Sequence, residues 1–234
     1  MSETRKKFNS PPKRFQPKGI TVLYEDADLL VIDKTSGLLT VSTEKVKENT
    51  AYFLLTNYVK RGNQKSKNRV FIVHRLDRDT SGVIVFAKSE EVKRFLQDQW
   101  PEFTKKYFAI VRGALPQEKG SLTTYLAENA AHKVYSTENQ AQGKLSTTEY
   151  QVIKRSGPYT LLELELLTGR KNQIRVHLSD LGTPVVGDRV YGEAGKDGKR
   201  LALHSASLQL IHPHTKKPMT FEAPLPAYFK SLVR

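Results

Sequence analysis

The chain has 234 residues, with 38 lysines and arginines against 24 aspartates and glutamates, a net charge of +14 and no cysteine. That length suits one large domain or two small ones with a sizeable core. The missing thiols exclude disulfides, cysteine nucleophiles and thiolate metal sites, and suit a reducing cytosol.

No run of about 18 apolar residues is present to span a membrane, and no apolar signal-peptide core opens the chain, so secretion is not expected. The basic surplus, with a pI near 9.8, calls for a polyanionic partner bound through phosphates. A membrane surface would want a basic amphipathic helix or a lipidation site, and neither is found. Charge alone does not separate RNA from DNA.

Residues 1–18 read as a basic tail. Arg5, Lys6, Lys7, Lys13, Arg14 and Lys18 face only Glu3, prolines interrupt, and no apolar period appears. A disordered segment that modulates affinity is expected, followed by one domain over 19–234. Ile20–Tyr24 and Leu29–Lys34 are expected as two strands around an acidic turn. Asn49–Val59 has a helical apolar face, with Asn49 as its cap. Arg61, Lys65, Lys67 and Arg69 then make a basic loop with no acid, which fits solvent or nucleic acid.

The densest stretch is His74-Arg75-Leu76-Asp77-Arg78-Asp79-Thr80-Ser81-Gly82, running into the apolar strand Val83–Ala87. It sets charge at the mouth of a buried strand, and a loop held by a rigid scaffold often carries chemistry. Ser89 is expected to cap a helix ending near Trp100, and Lys105–Gly113 reads as a strand with Tyr107 and Phe108 on opposite faces. Residues 116–145 read as a surface excursion, with a hairpin as one form of it. Thr147–Ile153 and Tyr159–Leu167 read as paired strands, and 173–181 as a helix with Ile174, Leu178 and Leu181 inward and Arg175 beside them. Leu201–Ser205 and 208–219 complete the pattern.

The central stretch resembles HRLDxxTSG, the signature of the RluA-type pseudouridine synthases. Four further blocks agree in order. Residues 24–37 resemble YEDxxLLVxDKPxG, with Thr35 where proline is usual, and Lys105–Gly113 resembles KKYxAxVxG. Residues 168–177 resemble TGRxHQIRxH, with Asn172 in place of the histidine, and continue into GxPVxGDxxYG at Gly182–Gly192. Residues 201–219 resemble LxLHAxxLxxxHPxTxxxM. Each motif is weak alone; their joint order over roughly residues 20–226 is specific. The stretch before residue 19 is too short for the small RNA-binding domain that some members carry, so none is expected.

The resemblance implies an α+β fold, a mixed and mainly antiparallel sheet flanked by helices with a basic cleft. It implies isomerisation of uridine to pseudouridine in RNA, with ribosomal RNA ahead of transfer RNA, in the cytoplasm, by a chain taken as a monomer. No atoms enter or leave, so no cofactor and no metal are expected. The catalytic carboxylate falls on Asp77, as a nucleophile or a base; Asp79 is a local rival that spacing alone does not exclude. Arg175 is the expected bidentate partner that orients Asp77. Tyr107 gives the flipped base a face to lie on. Arg75 fills the space the base leaves, unless it makes a structural ion pair. His74, His177, His204, His212 and His214 lack metal-ligand spacing and read as structural. The other classes are a non-catalytic RNA-binding or RNA-chaperone protein keeping this fold and, more weakly, a nuclease.

Overall fold

The computed structural model describes residues 8–44, 46–192 and 198–234. Strands β1 (Ile20–Glu25) and β2 (Leu29–Lys34) form the first hairpin. Asp26 closes it, its Oδ1 accepting the N–H groups of Asp28 (2.8 Å) and Leu29 (2.7 Å), which is why an acidic turn suits this position. Helix α1 (Ala51–Val59) is capped by Thr50, not Asn49: the Thr50 hydroxyl accepts the Phe53 N–H at 3.2 Å.

A two-residue strand β3 (Phe71–Ile72), too short to leave a periodicity, precedes β4 (Ser81–Ala87). Helix α2 (Glu90–Asp98) is capped by Ser89, with Glu90 and Glu91 in its first turn, where they complement the helix dipole. A 3₁₀ turn at Trp100–Glu102 leads into β5 (Thr104–Arg112). Residues 116–145 are more regular than a surface excursion. Strand β6 (Lys119–Glu128) and β7 (Val134–Thr137) form a hairpin, and β8 (Lys144–Ser156) already begins inside that stretch. Strand β6 alternates exposed and half-buried residues of mixed polarity, so its one-sided burial left a weak apolar pattern. Strand β9 (Tyr159–Leu166), α3 (Gln173–Asp180), β10 (Leu203–Ile211), β11 (Pro218–Glu222) and α4 (Ala227–Leu232) complete the described elements.

The eleven strands make one sheet in the order β1-β2-β4-β10-β5-β9-β8-β6-β7, with β3 on β4 and β11 on β10. Every pairing is antiparallel except β4 with β10, which run parallel and meet only at Ser81–His204 and Gly82–Ser205. The fold is thus α+β with a mixed, mainly antiparallel sheet. Strands β2 and β4 are buried on both faces: Leu30, Ile32, Ile84 and Phe86 join the core shared with α1 and α3, and Leu29, Val31, Val83 and Val85 the core shared with α2. Burial on both faces explains their unbroken apolar runs. At the joint, Gly82 has φ +112°, and a Cβ there would overlap the Ser205 carbonyl, so only glycine lets the two half-sheets meet.

Residues 8–18 correct the expectation of a disordered tail. Phe8 packs on Tyr24 with ring centres 5.5 Å apart, Ser10 Oγ donates to the Val22 carbonyl (2.6 Å), and Gln16 Oε1 accepts the Val22 N–H (2.8 Å). These residues cover the free edge of β1. Arg5, Lys6 and Lys7 lie outside the described residues. Among the described residues no helix is long and apolar enough to cross a membrane.

Candidate active site

The loop between β3 and β4 holds the central motif, and the segment after β2 clamps it. Every carbonyl from Leu76 to Asp79 is engaged. Thr40 Oγ1 donates to Leu76 (2.8 Å), and the Thr80 N–H to Asp77 (3.2 Å). The Gly37 N–H and Lys34 Nζ both donate to Arg78 (2.9 and 3.1 Å), and Ser36 Oγ donates to Asp79 (2.7 Å). Lys34 is fully buried, and its ammonium also reaches the carbonyls of Thr35 (3.1 Å) and Leu38 (2.8 Å). Burial pushes Lys34 down to about 8, against the pull of Asp79, Asp77 and Asp33, which leaves it charged at neutral pH.

Thr35, standing for the usual proline, donates both its N–H (3.0 Å) and its hydroxyl (3.1 Å) to the Gly19 carbonyl. A proline has no N–H to give; here hydrogen bonds replace ring rigidity.

The motif loop opens onto a cleft whose lining includes Arg75, Asp77, Tyr107, Arg170, Asn172 and Arg175. The four residues singled out in the sequence therefore converge from three different parts of the chain. Asp79 does not join them: it is exposed and engages the fold through its carbonyl. Arg75 is exposed on the cleft wall and makes no ion pair with a described residue, which removes the structural alternative for it. Tyr107 is 8% exposed. Burial, helped by the charge of Asp77 and opposed by a hydrogen bond to the Ser205 side chain, pushes its phenol up to about 12, so it stays a neutral aromatic surface.

The arginine pairing differs from expectation. Arg175 donates one bond to Asp77, Nη1 to Oδ2 at 3.0 Å; its bidentate partner is Asp188, with Nε to Oδ2 at 2.7 Å and Nη2 to Oδ1 at 2.8 Å. Asp188 is wholly buried and also accepts the N–H groups of Val190 (2.9 Å) and Tyr191 (3.0 Å). Burial alone would push its carboxyl up; the hydrogen bonds and charge of Arg175, with the two backbone donors, outweigh it and hold the group below its ordinary value. Burial likewise opposes the Arg175 charge, and Asp188 and Asp77 overcome it.

Asn172 sits at φ 55° ahead of α3, a left-handed conformation that asparagine tolerates. It accepts from Arg175 Nη1 (3.1 Å) and donates to Tyr191 Oη (3.1 Å), and the Arg175 guanidinium lies 5.0 Å from the Tyr191 ring centre. With its fork on Asp188, Arg175 turns a single N–H to Asp77. That aspartate keeps Oδ1 without a partner among the described residues. The sequence carries no separate signal for Asp188 or Lys34, since each lies beside an oppositely charged neighbour, Arg189 and Asp33, as surface residues often do.

The histidines are held structurally. His74 Nε2 accepts the Val85 N–H (3.1 Å) and its ring stacks on Trp100. His177 lies between Thr124 and Thr148, each at 3.0 Å, and His204 Nδ1 is 2.9 Å from Ser81 Oγ. Asp26, Asp28 and His212 do converge. Yet His212 Nδ1 accepts the N–H groups of His214 (3.2 Å) and Thr215 (3.1 Å). The ring proton must then sit on Nε2, which donates to Asp26 at 2.7 Å and has no lone pair for a cation.

Burial pushes His74 from 6.5 down to about 3, and pushes His204 down to about 4. Below pH 6.5 the unfolded chain gains protons at both positions before the folded chain does, so stability falls with pH from 6.5 toward 4. Asp33, raised by burial from 3.8 to about 6, works in the opposite direction between those values. The net expected loss from pH 6.5 to pH 5 is about 1–2 kcal/mol, read from urea unfolding at both pH values. A flat or rising stability would show that these histidines take up protons in the fold.

The cleft thus sets the ring of Tyr107 near a carboxylate that is held by a largely enclosed arginine. Residues 28–180 match the family model described as RNA pseudouridylate synthase. An uncharacterized RNA pseudouridine synthase of Mycoplasma genitalium, MG209, is 40% identical over 220 residues, 92% of this chain and 70% of the relative. Ribosomal large subunit pseudouridine synthase D of Nitrosomonas europaea is 35% identical over 226 residues, 92% of this chain and 64% of the relative. The solved structure of human RNA pseudouridylate synthase domain containing 4 superposes with a TM-score of 0.74 at 25% identity, over 89% of this chain and 90% of that one. The chain belongs to the RNA pseudouridine synthases of the RluA type, isomerases that act on uridine in RNA.

Proposed function

We propose that this synthase converts specific uridines of structured RNA, ribosomal RNA ahead of transfer RNA, with Asp77 as the reacting carboxylate. The observation that carries the reading is the arrangement around Asp77: one oxygen fixed by Arg175, the other unpartnered, in a cleft floored by Tyr107. A uridine must leave its stack to reach it, and Tyr107 supports the extruded base. Arg75, exposed and unpaired at the rim, takes the place the base vacates in the RNA.

Asp77 acts on the ribose, by attack at C1′ or by removal of a proton. The bond from C1′ to N1 breaks, the base turns, and C1′ joins C5. N1 gains a proton and C5 gives its hydrogen to water, so atoms balance without a co-reactant. Ribosomal RNA is favoured by the function in the name of the Nitrosomonas relative. The enzyme works as a monomer in the cytoplasm, a location its cysteine-free sequence suits.

The test uses unmodified RNA carrying tritium at C5 of uridine, prepared separately as ribosomal and transfer RNA. Tritium release to water is expected from ribosomal RNA first. Release only from transfer RNA would overturn the preference. Binding of both RNAs without release would leave a non-catalytic RNA-binding protein.

A further inference from the structure

The cleft continues beyond the uridine site. Arg170 lines it and also lines a neighbouring pocket of about 240 Å³ at the β6–β7 hairpin, whose walls include Leu126, Val134, Gln142 and Lys144. Leu126 and Val134 are each 4% exposed and form an apolar floor. The acid in this pocket is already neutralised: Glu128 pairs with Lys171 at 2.7 Å. Arg170 and Lys144 are both exposed, and neither side chain makes an ion pair or hydrogen bond with a described residue. Two unpaired cations thus flank an apolar surface beside the reacting carboxylate.

Where the target base sits by Asp77, the phosphates on either side must leave the cleft, because that carboxylate repels them. The rim offers Arg170 in one direction. The hairpin is also tied to the chemistry: Tyr191 Oη accepts the N–H of Val134 (3.1 Å) and of the Asn172 amide (3.1 Å), and Asn172 Oδ1 holds Arg175 Nη1 (3.1 Å). The hairpin is therefore joined by hydrogen bonds to Arg175, the group that contacts Asp77.

We propose that this second pocket takes the nucleotide adjacent to the target uridine, with its phosphate between Arg170 and Lys144 and its base on Leu126 and Val134. Gln142 offers an amide to the edge of that base. This rests on the pseudouridylation reading, and it places part of the sequence preference on the hairpin.

The experiment follows mapping of the modified uridine in the tritiated RNA. A synthetic oligoribonucleotide carrying that uridine is made with an uncharged methylphosphonate at each flanking phosphate in turn. It is turned over by the native enzyme, by the double variant Lys144→Ala with Arg170→Ala, and by Lys144→Arg with Arg170→Lys. For the native enzyme, one of the two methylphosphonates should raise KM about tenfold. The double alanine variant should show a similar rise on ordinary RNA, with the larger effect on KM and not kcat, and no added penalty from that methylphosphonate. The slope of log KM against log salt should fall by about 0.7, the value for one lost phosphate contact to single-stranded RNA. The charge-conserving variant should keep most of the native KM.

A full methylphosphonate penalty persisting in the alanine variant, or a loss confined to kcat, would overturn the proposal. So would an unchanged KM. Truncating two exposed side chains without partners leaves the core intact, and a native-like melting curve checks this. No tritium release by the native enzyme from any RNA is a separate outcome, which would overturn the underlying reading and this proposal with it.

Discussion

Asp77→Asn is expected to lower tritium release at least about 10³-fold while the protein stays folded. Asparagine has the same shape, and its amide oxygen can still accept from Arg175 Nη1. It cannot attack the ribose as a carboxylate does, nor take its proton. The fold should survive because Arg175 does not depend on Asp77: its fork remains on Asp188 and Nη1 retains Asn172. The Asp77 side chain is 25% exposed, so the stability change should stay within about 1 kcal/mol. RNA binding should be retained, since Arg75, Arg170 and Tyr107 are untouched. The measurement is single-turnover tritium release beside a urea melt. Release near the native rate would remove Asp77 from the chemistry and turn attention to Asp79, despite its position outside the cleft.

The largest stability effect is expected at Asp188. Its carboxylate is surrounded by donors only: Arg175 Nε and Nη2, and the N–H groups of Val190 and Tyr191. In Asp188→Asn the amide NH₂, even in the better orientation with its oxygen kept for the three donors on Oδ1, must face Arg175 Nε in the Oδ2 position, and the largely enclosed guanidinium loses its main counter-charge. Removing one partner of a buried pair costs about 3–5 kcal/mol, a large share of the 5–15 kcal/mol typical of a folded domain. Urea unfolding should shift to a much lower midpoint. At low temperature, where the variant remains folded, turnover should still be poor, because Arg175 no longer presents Nη1 to Asp77 in a fixed direction. An unchanged midpoint would mean that Arg175 is held by Asp77, Asn172 and the Tyr191 ring alone.

Several elements were legible because local chemistry and tertiary structure agree. The β1–β2 hairpin and β4 follow from apolar runs beside an acidic turn and a Thr-Ser-Gly turn. Helix α2 follows from Ser89 and the two glutamates after it. The Thr50 cap was missed because Asn49 and Thr50 are both good caps, and only the Phe53 N–H distinguishes them. The β6–β7 hairpin falls where the excursion allowed one, but its strand limits left no clear pattern because polar residues fill many of its positions.

At the site, the residue types and order carried Asp77, Tyr107, Arg175 and Arg75 through resemblance. They did not show how these are held. Arginine and aspartate can pair in several ways, and Arg175 has two aspartates within reach, 98 and 13 residues away along the chain. The choice of Asp188 for the bidentate bond follows from burial: the wholly enclosed carboxylate has no water and takes two N–H groups of the guanidinium, whereas Asp77 is 25% exposed and can be hydrated on its other oxygen. The clamp on the Asp77 loop is equally invisible in sequence, since Lys34, Ser36, Gly37 and Thr40 act through backbone carbonyls that any residue could supply. By itself the sequence determined the polyanionic character of the partner, the motif set and the apolar strands, because these depend on residue type and short spacing, and through the resemblance that the motifs carry it implied the reaction class. Only the tertiary structure decided the pairing of Arg175, the exclusion of Asp79 from the cleft and the link from the hairpin through Tyr191. Those depend on which groups are shut away from water, and that is settled by contacts between distant parts of the chain.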